Sequence, residues 1–200
     1  MDTAALILDS TTRNSLAAGY DSDTRTPIPY WHMLFRAFGA INARPRDMAG
    51  FIKLFTGRGE VGGRRIVPET LIARMEFPES TLAARSGLRF GYGLGIYSWF
   101  SNGVLFHGHG GDGDGYLAHF GYSPRTARGY FVVINAFTHV PLRKMRKAIE
   151  QYLTRDVPTA EFEPVADIKA SVITGTYEPA TYRFPQDPND EPGHMEITVT

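Results

Sequence analysis

Residues 104–124, VLFHGHGGDGDGYLAHFGYSP, constrain the fold more than any other stretch. An apolar run enters a glycine-rich segment and leaves as a second alternating run, the pattern of two strands joined by a turn. The segment carries His107, His109, Asp112 and Asp114. Glycines on a strand admit another backbone or a ligand to close range, so this stretch is the candidate wall of a site. Its neighbours are of the same kind. Residues 90–99 alternate Tyr92, Leu94 and Ile96 between glycines, and residues 129–136, GYFVVINA, form an apolar, β-branched run suited to the middle of a sheet. With residues 104–106 and 116–122 between them, four consecutive strands predict an antiparallel meander.

Helices are expected on both sides of the meander in the chain. Met48, Phe51, Ile52 and Phe55 recur at i, i+3, i+4 and i+7. They mark a helix that starts near residues 42–45 and ends at Gly57, with Pro45 and Asp47 in its first turn. Residues 58–65 read as a turn. Pro68-Glu69-Thr70 opens a short helix carrying Leu71, Ile72 and Met75, and Leu142, Met145, Ile149, Tyr152 and Leu153 mark an amphipathic helix after Pro141. Residues 6–28 hold too few periodic apolar positions for an element and predict an irregular segment draped over a body supplied elsewhere. The rings of Tyr30, Trp31, Phe35 and Phe38 are expected to cover a core. The fold class is therefore α+β, an antiparallel sheet meander flanked by helices.

Composition removes several function classes. The 200 residues carry no net charge and the basic residues are scattered, so no phosphate backbone is matched and nucleic acid is not an expected partner. Cysteine is absent, which excludes disulfides, thiolate metal sites and a Cys nucleophile. No leader pattern opens the chain, and no apolar run approaches the roughly 20 residues of a membrane span. The composition changes after Arg155. Residues 1–155 read as the main domain, 156–168 as a linker, and 169–200 as the beginning of a small β module; both ends have the look of a chain cut from something longer.

Four chemistries compete for residues 107–114. His107-x-His109 with Asp112 and Asp114 offers imidazole and carboxylate ligands, but no third ligand motif accompanies them, and no metal is expected. Gly-Gly-Asp-Gly-Asp occurs once, whereas a calcium repeat needs stacked copies. A phosphate loop would require Gly-Lys-Ser/Thr or a following helix. No cofactor is implied. Acyl transfer fits best, because a glycine strand lets a substrate carbonyl lie against backbone N–H groups that stabilise an oxyanion. The plain alternative is that these glycines merely form a tight hairpin. His107 and Asp114 are expected to be residues of the turn, with His109 and the glycines as the useful parts of the wall.

An ordered set of motifs bears on that choice. Met1-Asp2-Thr3, Gly39-Ala40-Ile41-Asn42-Ala43 with Asp47-Met48-Ala49, Gly63-Arg64-Arg65-Ile66-Val67-Pro68-Glu69, Gly91-Tyr92-Gly93-Leu94-Gly95, His109-Gly110-Gly111 and Gly115-Tyr116 follow one another. In that order, over residues 1–153, they resemble the C-terminal half of the serine β-lactamase-like family, which includes class C β-lactamases, D-alanyl-D-alanine carboxypeptidases and related esterases. The resemblance implies that His109-Gly110-Gly111 occupies the Lys-Thr-Gly or His-x-Gly strand lining the active site. It implies a catalytic contribution from His109, in substrate positioning or proton shuttling, and substrate binding by Gly110, Gly111 and Asp112, with the Asp112 N–H near the oxyanion. Ile173-Thr174-Gly175-Thr176-Tyr177 is similar to the start of a small β module that often follows this domain.

The sequence departs from the family in one respect. None of Lys53, Lys144, Lys147 and Lys169 follows a Ser by three, and no Tyr is followed two later by Asn. The nucleophile and its base are therefore expected in a missing N-terminal half, and this chain alone is expected to be inactive. The whole would be a serine hydrolase acting on an ester, amide or lactam carbonyl of a small-molecule or peptide substrate. The alternatives are a non-catalytic peptide- or glycan-binding protein using the same cleft, or a metal-dependent hydrolase using His107 and His109. The residues assign no compartment; proteins similar to this one often act in the periplasm or elsewhere outside the cytoplasm.

Overall fold

The computed structural model describes residues 4–7, 9–34, 36–39, 41–158, 174–177 and 195–197. It opens with a short helix, α1 (Ser10–Arg13), capped by Asp9, whose carboxylate accepts the Thr12 N–H at 2.7 Å. A hairpin follows, in which β1 (Gly19–Tyr20) pairs antiparallel with β2 (Pro27–Ile28). Asp23 closes its loop by accepting the N–H groups of Arg25 and Thr26. This segment is more regular than expected, because side-chain caps built these elements and apolar periodicity does not register caps. β1 docks on the main sheet: Tyr20 N–H donates to Asn135 O, and Phe137 N–H donates to Tyr20 O.

The aromatic segment behaves differently from expectation. Trp31 is 40% and Phe38 76% exposed, so among the described residues these rings do not cover a core. Trp31 lies outside the helices and strands and Phe38 on the four-residue α2 (Arg36–Gly39); Phe35 lies outside the described residues. α3 (Pro45–Thr56) fulfils its pattern. Its N-terminus carries Pro45 and Asp47, its C-cap is Gly57, and Ile52 and Phe55 are buried. The expected turn at 58–65 contains a hairpin, β3 (Glu60–Val61) against β4 (Arg64–Arg65). Gly62 and Gly63, at φ +60° and +76°, form its two-residue loop, a conformation that favours glycine at both positions. α4 (Glu69–Glu76) and α5 (Leu82–Arg85) follow.

The main sheet has the order β5 (Tyr97–Ser101), β6 (Val104–Gly113), β7 (Tyr116–Ser123), β8 (Arg128–Ile134), antiparallel throughout. The expected meander is present, but its first strand begins at Tyr97 instead of at residue 90. Gly91 and Gly95 take φ of +142° and +67°, and Leu94 N–H donates to Met75 O at the end of α4. A Cβ on Gly93 would stand 2.0 Å from that same Met75 O. These glycines lace a loop onto a helix end.

Strict alternation gives the sheet two faces. One, toward α3 and α4, buries Ile52, Phe55, Ile72, Ile96 and Tyr122, with Phe51, Phe120 and Phe131 packed against them. Fully burying such a side chain contributes about 1.5–3 kcal/mol. The buried Glu76 carboxylate within this layer accepts from Tyr122 Oη at 2.9 Å and from Arg58 Nη1 at 2.5 Å, which offsets the cost of its desolvation. The other face buries Val104, Phe106 and Tyr130 with Trp99, Val132, Ile149 and Leu153 under α6 (His139–Thr154). The architecture is α+β, with an antiparallel sheet between helices. No helix among the described residues is long and apolar enough to cross a membrane.

Near the C-terminus, β9 (Gly175–Tyr177) pairs antiparallel with β10 (Met195–Ile197). The rest of the expected linker and β module, residues 159–173, 178–194 and 198–200, lies outside the described residues.

Candidate active-site edge

β6 is the long strand of the sheet, and its two neighbours cover it unequally. β5 pairs with residues 104–108, whereas β7 pairs with residues 107–113. The Ser98 N–H donates to Gly91 O, on the side of β5 away from β6. Tyr97, Trp99 and Ser101 therefore carry the bonds to β6, opposite Gly108, Phe106 and Val104. By the same alternation, the N–H and C=O groups of Gly110 and Asp112 point past the end of β5. Among the described residues no strand pairs with them there. An edge of this kind is a ready template for an extended ligand backbone.

The glycines of this strand divide by role. A Cβ on Gly108 would lie 2.0 Å from Phe120 O, a backbone clash, so Gly108 is required for strand packing. On Gly110 a Cβ would meet nothing nearer than His119 Cδ2 at 3.7 Å, and on Gly111 nothing nearer than Ala118 Cβ at 3.8 Å. The hairpin loop consists of Asp114 and Gly115 alone, with Gly115 at φ +82° and pressed against Gly19. Gly110 and Gly111 are thus outside the turn and needed by no neighbour. Their effect is to leave the strand surface bare.

His107 and His109 lie on one face of the extended strand yet in different surroundings. His107 belongs to no turn: it is buried, its Nδ1 is 2.9 Å from Ser98 Oγ, and its ring faces Tyr122. Burial pushes its pKa down, against an opposing pull from Glu76. Asp114, by contrast, sits in the loop as expected. His109 is partly buried, with Nε2 2.7 Å from Tyr92 Oη and Nδ1 2.5 Å from Gly110 O. Tyr92 meets the imidazole edge-on, and Tyr97 lies 5.5 Å from it, centroid to centroid. The Asp112 side chain is exposed. No three His, Asp or Glu side chains gather into a metal-binding group among the described residues.

A second constellation lies beneath this edge, on the α6 face, and no sequence motif announced it. Tyr97 Oη is 2.8 Å from His119 Nε2, Tyr130 Oη is 3.2 Å from His119 Nδ1, and Tyr130 Oη donates to Glu150 Oε1 at 2.5 Å. Trp99 Nε1 donates to the same carboxylate oxygen at 3.2 Å. The protons in this chain have one consistent direction. Because Tyr130 spends its hydrogen on Glu150, it accepts from Nδ1–H of His119, whose Nε2 then accepts from Tyr97. Burial first, then Arg146 and His109, lowers the pKa of His119 to about 3, and the ring stays neutral. Burial likewise raises Tyr97 and, reinforced by Glu150, Tyr130. Glu150 was legible only as one polar residue beside Ile149 on the apolar side of its helix.

No protein-family model matches the chain, and no curated protein matches it by sequence. Solved structures do match. An octameric penicillin-binding protein homologue from Pyrococcus abyssi superposes with a TM-score of 0.60 at 22% identity, over 81% of this chain and 36% of its own. The D-amino acid amidase from Ochrobactrum anthropi SV3, solved with D-phenylalanine, superposes with a TM-score of 0.53 at 15% identity, over 78% of this chain and 49% of its own. The chain therefore has the β-lactamase/penicillin-binding-protein-like fold and spans between a third and a half of the length of these proteins.

Proposed function

We propose that this chain supplies one wall of the acyl-transfer cleft of a β-lactamase-related serine hydrolase. The hydrolase would act on an ester, amide or lactam carbonyl of a small-molecule or peptide substrate through a serine acyl-enzyme. The observation that carries this reading is the bare edge of β6 at Gly110 and Asp112, beside His109, on a fold shared with a penicillin-binding protein homologue and an amidase. A substrate carbonyl oxygen laid along that edge would meet the Asp112 N–H, a preorganised donor for the oxyanion. Gly110 and Gly111 admit it, and His109 forms the side of the cleft.

The nucleophile belongs to a remaining part of the hydrolase domain, since no Ser-x-x-Lys or Tyr-x-Asn occurs in the sequence. In this reading residues 1–155 complete a shared domain, 156–168 link it onward, and 169–200 begin the β module. The exposure of Leu34 at 86%, Phe38 at 76% and Ile41 at 56% supports a partnered surface for that remaining part. The missing motifs equally favour a second reading, a non-catalytic protein that binds a peptide or glycan along the same edge.

Labelling with a fluorescent penicillin and a fluorophosphonate distinguishes them. The 200-residue chain alone should take up neither probe, whereas a longer product of the same coding sequence, containing an upstream in-frame Ser-x-x-Lys, should be labelled on that serine. Covalent labelling of the short chain would refute the missing nucleophile. A longer product that carries no such motif and resists both probes would leave the binding reading standing.

A further inference from the structure

We infer that Tyr92 is a positioning residue for His109: with the Gly110 carbonyl holding the proton on Nδ1, Tyr92 donates to Nε2, fixes the ring and leaves neither nitrogen free at the cleft edge. The Gly110 carbonyl oxygen, 2.5 Å from Nδ1, can only accept a hydrogen bond, so Nδ1 carries the hydrogen. In the neutral ring Nε2 is then the acceptor, and the Tyr92 hydroxyl, 2.7 Å away, donates to it. Tyr92 comes from the Gly91-Tyr92-Gly93 loop, which is tied to β5 by Ser98 N–H to Gly91 O and to α4 by the following Leu94 N–H to Met75 O, so the donor is held from outside β6. The edge-on contact of Tyr92 and the lateral contact of Tyr97 hold the ring plane.

Two consequences follow at the edge. The outward Gly110 carbonyl already accepts Nδ1–H with one of its two lone pairs, so the Asp112 N–H and C=O are the pair that the imidazole does not engage. A ligand there meets a fixed imidazole and the lone pairs of the 40% exposed Tyr92, instead of a mobile base. His109 thus positions and does not shuttle protons in this arrangement. The importance of this rests on the cleft reading above, but the hydrogen-bond assignment does not.

The test is a two-bond proton–nitrogen correlation spectrum of the histidine rings in the full 200-residue chain, at about pH 8.5, well above the ordinary imidazole range. His109 is assigned by its disappearance in His109→Gln. The wild type should show a protonated Nδ1 and an unprotonated, hydrogen-bonded Nε2. Tyr92→Phe, which keeps the ring contact, should move the Nε2 resonance toward that of an unbonded ring nitrogen. A protonated Nε2 or averaged tautomers in the wild type would overturn the inference, as would identical His109 resonances in a folded Tyr92→Phe. If that variant does not fold, the wild-type spectrum decides. Probe labelling reads the nucleophile and this spectrum reads the tautomer, so each can fail without the other.

Discussion

The two halves of β6 share one strand geometry and each carries one histidine, yet they belong to different parts of the molecule. Residues 104–108 are held on one side by β5 and fully enclosed at Phe106 and Val104, whereas residues 109–113 have β7 on one side and, among the described residues, no strand on the other. His107 in the first half is a buried, hydrogen-bonded member of the core. His109, two residues later, stands at an open edge and is braced by a tyrosine from a loop. Edge pairing, more than residue type, thus separates a core histidine from one at an open edge. The same holds for the glycines: Gly108 is there because backbone crowds it, while at Gly110 and Gly111 nothing does.

This contrast can be broken by measurement. The largest effect should come from Phe106→Ala, which empties a position that is 0% exposed and stacked on Trp99; the cost should be about 3–5 kcal/mol, read from urea unfolding. Gly108→Ala should follow, with about 1–3 kcal/mol or more, because the obstructing Phe120 O is backbone and cannot turn aside.

An acid dependence should come next. His119 accepts a proton near the ordinary 6.5 when unfolded but only at about 3 when folded. The unfolded state therefore binds more protons in that interval, and stability should fall as pH drops below about 6.5. Urea midpoints measured across pH should show His119→Gln flattening this slope, and His107→Gln doing so in the same direction, its pKa also being lowered by burial. A slope unchanged in both variants would contradict the buried, neutral assignment.

The smallest effect should be Gly111→Ala, within about 0.5 kcal/mol in the same unfolding measurement. If Gly108→Ala and Gly111→Ala cost the same, the division of β6 into an enclosed and an open half is wrong.

Much of the architecture was legible because it depends on local pattern. The α3 stripe, the Pro45 start and Gly57 stop, the strands of the meander and the helix after Pro141 all follow from periodicities and caps that neighbouring residues impose. Expectation failed where glycine meaning depends on a distant partner. Residues 91–96 alternate like a strand, but Gly93 is a glycine because Met75 O approaches it, and alternation cannot reveal that approach. Likewise Trp31 and Phe38 are apolar enough to be covered, yet burial requires a surface that the described residues do not bring to them.

The candidate site divides in the same way. The run His109-Gly110-Gly111-Asp112 was visible by itself, since it gathers an imidazole, a carboxylate and two glycines on one predicted strand. Local pattern in the sequence was enough for an antiparallel α+β fold, a formal net charge of zero, the lack of cysteine and the lack of a Ser-x-x-Lys motif. Only the tertiary structure decided that β5 stops short of Gly110, that Tyr92 reaches His109, and that Tyr97, His119, Tyr130 and Glu150 join beneath them. The physical reason is range. Periodicity and capping act within a few residues, whereas strand register and long-range hydrogen bonds are set by which segments the whole fold brings together.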